Sequence, residues 1–399
     1  MKYFAAAALA ALLVHGTAGA QEPAKQAPIK IGFITTLTTP AASIGNDMVD
    51  AVKLAVEHSG GAIAGRPIEV VFEDDGLKPE LGRQKAEKLV RQDNVDIVAG
   101  FIWSNVLMAA RKSVLDSGKF LISTNAGPSD LAGKLCSPNF FSLRGQNDMV
   151  PIALGKVMNE RGVKKLYVMA PNYTAGKDMA AGVESSFKGE VAGRDFTKWG
   201  DDPQLDFSAE FAKVAASGAD ALFAFYPGRA AIFARQFEQS GLSKKVKLYS
   251  VYTMDQIALP KLQEAKIDAV LGTSSADYWS PDLATPANQR FVADFKAKYN
   301  RVPSNYAAAA YDLIPYVKAA VEQAGGDISA TDAVRAALVK ADYDSVRGRY
   351  KLARNHFPID RYLSLEVAPD ANGVWSLRSD GLEMTDLTDP YVEACRNGE

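Results

Sequence analysis

Ile29-Lys30-Ile31-Gly32-Phe33-Ile34 is a short run of β-type residues. The segment Asn46 to His58 after it carries Met48, Val49, Val52, Ala55 and Val56 on one helical side, and Gly60-Gly61 stops it. This strand-then-helix unit recurs. Ile68 to Phe72 reads as the next strand, Pro79 to Gln92 as a charged helix, Val95 to Phe101 as a buried strand, Asn105 to Asp116 as a helix and Phe120 to Ile122 as a fourth strand. Parallel neighbours need a crossover, and a helix supplies it, so the alternation specifies a doubly wound parallel sheet.

The pattern restarts after residue 148. Met149 to Arg161, Ala175 to Phe187, Phe207 to Ala216 and Ala234 to Gln239 have helical spacing. Lys165 to Ala170, Ala219 to Tyr226, Val246 to Val251 and Ile267 to Gly272 read as strands. Helices over Phe291 to Tyr299, Tyr306 to Ala324 and Thr331 to Lys340 follow in succession. Short strands at Tyr350 to Leu352, Tyr362 to Val367 and Val374 to Leu377 close the chain, the last two joined by an Asp370-Ala371-Asn372-Gly373 turn. The fold class is α/β, with two doubly wound, Rossmann-like lobes. No Gly/Ser linker or charge block separates them, so the lobes are rigid bodies joined by crossovers.

The chain has 399 residues, 45 basic and 47 acidic, with 47% hydrophobic residues. That length suits two domains of roughly 150–200 residues. A net charge of −2 gives no broad attraction to nucleic acid, and none is expected as a partner. Histidines occur only at His15, His58 and His356, too few for a His-rich metal site. C-x-x-C, H-E-x-x-H, the phosphate-binding glycine motifs and the G-x-S-x-G elbow are all missing from the sequence. No metal, cofactor or catalytic residue is expected. An exported hydrolase, the alternative from another class, would have to use His58 or His356 as its base. His58, at a helix end, reads instead as a complement to the helix dipole, and His356, before Phe357-Pro358, as structural. Asp74-Asp75 reads as a loop or a cap for the Pro79 helix.

Residues 1–20 read as a secretory signal peptide: Lys2, an apolar stretch from Ala5 to Val14, then the small-residue pattern Ala18-Gly19-Ala20 before Gln21. The apolar stretch is too short to span a bilayer. The expected location is periplasmic, and cleavage leaves His58 and His356. An oxidising destination allows Cys136 and Cys395 to pair. A bond between them would tie the tail to the first lobe, worth roughly 4–5 kcal/mol in the chain-entropy model, and two separate thiols are the alternative.

Several stretches together resemble a known family. They are Ile31-Gly32-Phe33-Ile34-Thr35-Thr36-Leu37, Gly45 before a helix, Gly60-Gly61-Ala62-Ile63-Ala64-Gly65-Arg66-Pro67-Ile68 and the acidic Glu73-Asp74-Asp75. The chain resembles the leucine/isoleucine/valine-binding protein family, the type I periplasmic receptors of ABC importers. Gly100 to Asn105 and Ser123 to Ser129 extend the likeness. The run from Asn125 to Leu131, with Ala132-Gly133 and Cys136, is similar to the branch that takes up aromatic acids.

The resemblance implies two lobes joined by three crossover segments, near Gln146 to Met149, Ser275 to Asp277 and Ala341 to Arg347. Lobe 1 would comprise 28–148 and 277–342, and lobe 2 would comprise 149–276 and 343–390. It implies a ligand carboxylate held by Ser104, Asn105, Asn125, Ala126 and Gly127, where strand ends and helix starts offer N–H groups, a hydroxyl and amides. Phe101, Trp103, Tyr173, Tyr226, Arg229, Tyr252, Tyr278 and Tyr306 would line the ring pocket, with Trp279 near it. Amino-acid receptors of the family carry an acidic residue for the ligand ammonium. The matching position here is at or beside Tyr252, and Asp255 a few residues on is a poorer match. Burying an ammonium without a carboxylate is costly. The expected function is therefore capture of an aromatic carboxylate of benzoate, phenylacetate or cinnamate type, by a monomer that delivers it to permease subunits at the inner membrane. A branched-chain or other amino-acid receptor and a sensor for a membrane receptor are the alternatives within the fold.

Overall fold

The computed structural model describes Met1 and residues 27–200, 202–385 and 387–396. Beyond Met1, the expected signal peptide lies outside the described residues. The first half of the chain contributes β1 (Ile29–Thr35), α1 (Ala42–His58), β2 (Ala62–Ile63), β3 (Arg66–Asp74), α2 (Pro79–Arg91), β4 (Ile97–Gly100), α3 (Ser104–Leu115), β5 (Phe120–Ser123), α4 (Ser129–Ala132) and β6 (Phe140–Ser142). These strands form a sheet in the order β2-β3-β1-β4-β5-β6, parallel except for the β2–β3 hairpin.

The second unit begins with α5 (Met149–Glu160), β7 (Lys165–Pro171), α6 (Thr174–Ser186), β8 (Glu190–Thr197), α7 (Ser208–Ser217), β9 (Ala221–Ala224), α8 (Ala230–Gln239), β10 (Lys247–Ser250), α9 (Leu259–Glu264) and β11 (Ser274–Asp277). The chain then forms α10 (Pro286–Tyr299), α11 (Asn305–Gln323) and α12 (Thr331–Lys340), with α11 packed on α1 of the first lobe. A small hairpin, β12 (Lys351–Leu352) with β13 (Pro358–Ile359), precedes β14 (Tyr362–Pro369) and β15 (Trp375–Met384). The second sheet runs β15-β14-β11-β10-β9-β7-β8, parallel from β11 to β8 and antiparallel at β14 and β15. The strands read from their apolar runs, such as β1, β4, β5 and β9, are almost wholly buried, as sheets covered on both faces require.

Two expectations for strands need correction. Ile267 to Gly272 does not form a strand: Asp268–Val270 makes a 3-10 turn, and Gly272 takes φ +75°, a left-handed conformation that ends the apolar run. The strand is β11, whose Ser-Ser-Ala-Asp sequence is buried although polar, because Ser274 accepts a hydrogen bond from Arg161 and Asp277 faces Arg144. The Tyr350 to Leu352 strand exists only as β12, outside the large sheet. Residues 343–360, grouped with the second lobe above, make contacts with the first. Tyr343 Oη donates to Asp312 (3.2 Å), the Ser142 N–H donates to the His356 carbonyl (3.1 Å), and Asn355 Nδ2 donates to the Ala132 carbonyl (2.8 Å).

After β15 the tail returns to the first lobe. Tyr391 packs beside Gly133, and Cys395 is disulfide-bonded to Cys136 across a sequence separation of 259 residues. The bond is a covalent tether between the end of the chain and the α4 region that borders the cleft. Replacing both cysteines with serine should lower unfolding free energy by about 2–5 kcal/mol, read as a lower urea midpoint. An unchanged midpoint would show that the bond adds nothing to stability.

Candidate ligand-binding site

In open α/β sheets the site lies beyond the strand ends where the winding direction reverses. Here those points are between β1 and β4 in one sheet and between β7 and β9 in the other. The segments that follow these strands face one another. Ile102, Trp103 and Ser104 follow β4, Asn125 follows β5, and Arg144 and Asn147 follow β6. Across the cleft stand Tyr173 after β7, Phe225 and Pro227 after β9, and Tyr252 after β10, with Tyr306 at the start of α11. Two glycines let the helices start this close to the strands. A Cβ at Gly45 would lie 1.9 Å from the Thr36 carbonyl oxygen, and one at Gly176 would lie 1.8 Å from that of Pro171.

The backbone is strained at matching places. Phe101 (φ +68°) and Tyr252 (φ +55°) both adopt left-handed conformations just past their strands. Bulky residues rarely do so, and such strain gathers at binding sites.

Arg144 dominates the electrostatics. It is buried, its Nη1 donates to Asn125 Oδ1, and its guanidinium carbon lies 4.2 Å from the Tyr252 ring centre, 5.2 Å from that of Tyr278 and 5.3 Å from that of Tyr306. Burial opposes its charge, but the tyrosines and the Asp277 carboxylate outweigh burial, so the guanidinium stays charged. Asp277 Oδ2 is 3.6 Å from Arg144 Nη2, too far for a hydrogen bond, and that buried Nη2 has no acceptor. Burial also pushes the phenols of Tyr173, Tyr252 and Tyr306 upward, so they remain neutral hydroxyls.

The expected carboxylate-binding residues divide. Asn125 and Ser104 line the cavity. Trp103 at the N-cap of α3 supplies no side-chain cap, which leaves the first-turn N–H groups of that helix without one. Asn105 does not line the cavity. The N–H of Ala126 donates to the Phe101 carbonyl (3.0 Å), and that of Gly127 donates to Asn147 Oδ1 (3.1 Å), so both are already engaged.

The expected ring residues divide as well. Trp103, Tyr173, Tyr252 and Tyr306 line the cavity. Tyr278 sits behind Arg144 and donates to the Asn305 carbonyl (3.2 Å). Phe101 is core. Tyr226 turns away to bond Thr197 (3.1 Å) and stack on Phe233. Trp279 donates to Asn288 (2.7 Å) away from the cleft, and Arg229 lines a neighbouring groove. Asp255 caps the turn before α9 through the N–H groups of Ile257 and Ala258, and it does not reach the cavity.

Sequence reading missed Arg144, Asn147, Phe225 and Trp199. For Arg144 a signal existed: it is a lone charge directly after the buried strand β6, in Ser142-Leu143-Arg144-Gly145. Asn147 ties the crossing together, since its Nδ2 donates to Ser104 Oγ (3.0 Å) and Asp178 Oδ2 (2.8 Å). The lobes are closed on each other. Ser129 of the first lobe donates through N–H and Oγ to Asp178 of the second (3.3 and 3.0 Å), and a Cβ on Gly228 would lie 3.4 Å from Ala41. Only about 20 Å³ between the rings is free for the centre of a water molecule, room for about one. Neither described histidine is in the cleft: His58 bonds Tyr311 (2.7 Å), and His356 stacks on Phe141 at 4.3 Å.

Residues 28–372 match the family model for periplasmic binding proteins, and the chain belongs to that family of ABC-type solute-binding receptors. A Brucella abortus protein named Leu/Ile/Val-binding protein homolog 6 is 26% identical over 360 residues, covering 87% of this chain and 89% of its own. A Rhodopseudomonas palustris ABC-transporter solute-binding protein, solved with benzoate, is 26% identical with a TM-score of 0.83, covering 92% of this chain and 99% of its own. One from R. palustris BisB5, solved with 3,4-dihydroxybenzoic acid, is 25% identical with a TM-score of 0.81, covering 91% and 99%. Among the described residues no helix is long and apolar enough to cross a membrane.

Asp148, beside Asn147, carries a pH signature. Burial first, then the charge of Asp178, pushes its carboxyl up to about 7, against the hydrogen bond from Tyr391 (2.8 Å) and with a further push from Asp389. The folded state thus holds this proton more tightly than the unfolded chain. Its contribution to stability is present at low pH and declines as pH rises from about 4 to about 7. Asp148→Asn should match the wild-type unfolding free energy near pH 4 and exceed it at pH 8 by roughly 1–3 kcal/mol, read from denaturant titrations at the two pH values. A lower stability at pH 8 would contradict this.

Proposed function

We propose that this receptor captures a small aromatic carboxylate of benzoate, phenylacetate or cinnamate type in the periplasm, as a monomer, and presents it to ABC permease subunits. The carrying observation is the lining of the cavity: a buried guanidinium with an unused Nη2, neutral tyrosine rings, and no acidic side chain. A carboxylate would gain charge-assisted hydrogen bonds from Arg144, with Asn125 and the start of α3 beside it. The rings of Tyr173, Phe225, Tyr252 and Tyr306 would enclose the aromatic body, with about 0.5–1.5 kcal/mol per good pair beyond area burial. An α-amino acid would bring an ammonium with no carboxylate to receive it. The solved relatives with benzoate and dihydroxybenzoic acid support the reading. The names of the curated relatives favour branched-chain amino acids instead, so leucine is the comparison ligand.

Ligand binding shifts the lobes toward the closed form only by its differential affinity for that form. The Ser129–Asp178 bonds and the Ala41–Gly228 contact are the protein's own part of closure.

Thermal shift and calorimetry on the processed protein test this. An aromatic acid at a hundredfold excess over its Kd should stabilise the fold by about 2.7 kcal/mol. A micromolar Kd, about −8 kcal/mol, is expected. Arg144→Gln should weaken binding by at least about 30-fold, with circular dichroism confirming that the variant folds. Leucine binding without response to any aromatic acid would overturn the proposal.

A further inference from the structure

Resting on the aromatic-acid reading of the cavity, we infer that a groove beside it receives a second, anionic group, so the preferred ligands are two-ended aromatic acids. One carboxylate would meet Arg144, and an acidic substituent on a short arm would meet Arg229 in the groove that Trp199 lines.

The groove, about 330 Å³, has walls from both lobes: Pro40, Ala41 and Leu77 from the first, and Trp199, Pro227 and Arg229 from the second. It is complete only when the lobes are closed, as a ligand subsite would be. The partition from the cavity is thin. Pro227 lines both spaces. The Trp199 ring stacks on Tyr173 (4.7 Å, 12° between planes) and lies 5.1 Å from Trp103, and both of these rings line the cavity.

The charge at the groove lacks a partner among the described residues. Arg229, half-buried at the N-cap of α8, has no ion pair there. Burial lowers its pKa, and among the described residues no carboxylate offsets this. Retaining a half-buried cation without a counter-ion costs free energy, and an anion in the groove would supply one. The apolar residues around Arg229 suit a methylene or vinyl arm.

The test compares matched pairs by calorimetry: benzoate with terephthalate, phenylacetate with 4-carboxyphenylacetate, and cinnamate with 4-carboxycinnamate. At least one diacid should bind ten or more times as tightly as its monoacid. Arg229→Gln should abolish that preference while leaving monoacid affinity within about twofold. The inference is overturned if no diacid outperforms its monoacid, or if Arg229→Gln weakens monoacids and diacids alike. A wild-type protein that binds monoacids but shows no preference sinks the groove alone. One that binds neither kind sinks the aromatic-acid reading with it.

Discussion

Arg144 holds its charge where the links between the two sheets come together. It lies in the link from β6 to α5. Asp277 ends β11 and Tyr278 follows it, both against Arg144, and Tyr278 is also 4.9 Å from the guanidinium of Arg347, between α12 and β12. Arg347 is paired in turn with Asp360 (3.0 Å) and stacked on Tyr350 (3.8 Å). Taking two guanidiniums out of water costs several kcal/mol each unless acids and rings replace the hydration. The links therefore have to keep to a single arrangement for these charges to remain buried. One face of Arg144 serves this hinge cluster, and the other looks into the cleft. An anion held there, as proposed, would touch the hinge directly, and ligand recognition and lobe geometry would then share one side chain.

The contacts that close the cleft combine ring contacts, such as Trp103 on Trp199 (5.1 Å) and Tyr252 on Tyr306 (6.3 Å), with a small set of hydrogen bonds. Asn147 connects Ser104, Gly127 and Asp178, and Ser129 reaches Asp178 from the opposite lobe. Small sets of such bonds exchange readily with water, each worth about 1 kcal/mol net. One buried apolar cluster runs through both lobes, from Ile31 and Val98 in the first to Val168 and Phe223 in the second, and another is confined to the second lobe around Phe211, Phe233 and Leu248.

How much of this was legible in the chain depended on which physical signal each residue carried. β1, β4, β5 and β9 announced themselves because burial on both faces demands apolar runs. β8 did not, since its Glu190, Arg194 and Asp195 face partly outward at the sheet edge. β11 was hidden because its buried side chains are polar and serve Arg161 and Arg144. In the cleft, Trp103, Asn125, Tyr173, Tyr252 and Tyr306, expected there from the family resemblance, line the cavity, and the first four of them follow strand ends. Phe225 and Tyr226 were confused because adjacent residues leaving a strand point to opposite sides, and a one-residue difference exchanges cleft for core.

By itself the sequence determined the α/β class, the two-lobed plan, the shortage of histidine and the supply of rings near the strand ends. These follow from local periodicity and composition, which need no knowledge of distant partners. The tertiary structure alone decided which donors remain unused. It spent the N–H groups of Ala126 and Gly127 on Phe101 and Asn147, joined Cys136 to Cys395, and left Nη2 of Arg144 without an acceptor. A hydrogen-bonding group is available or spent according to neighbours that lie far away in sequence, and only the packed chain brings those neighbours together.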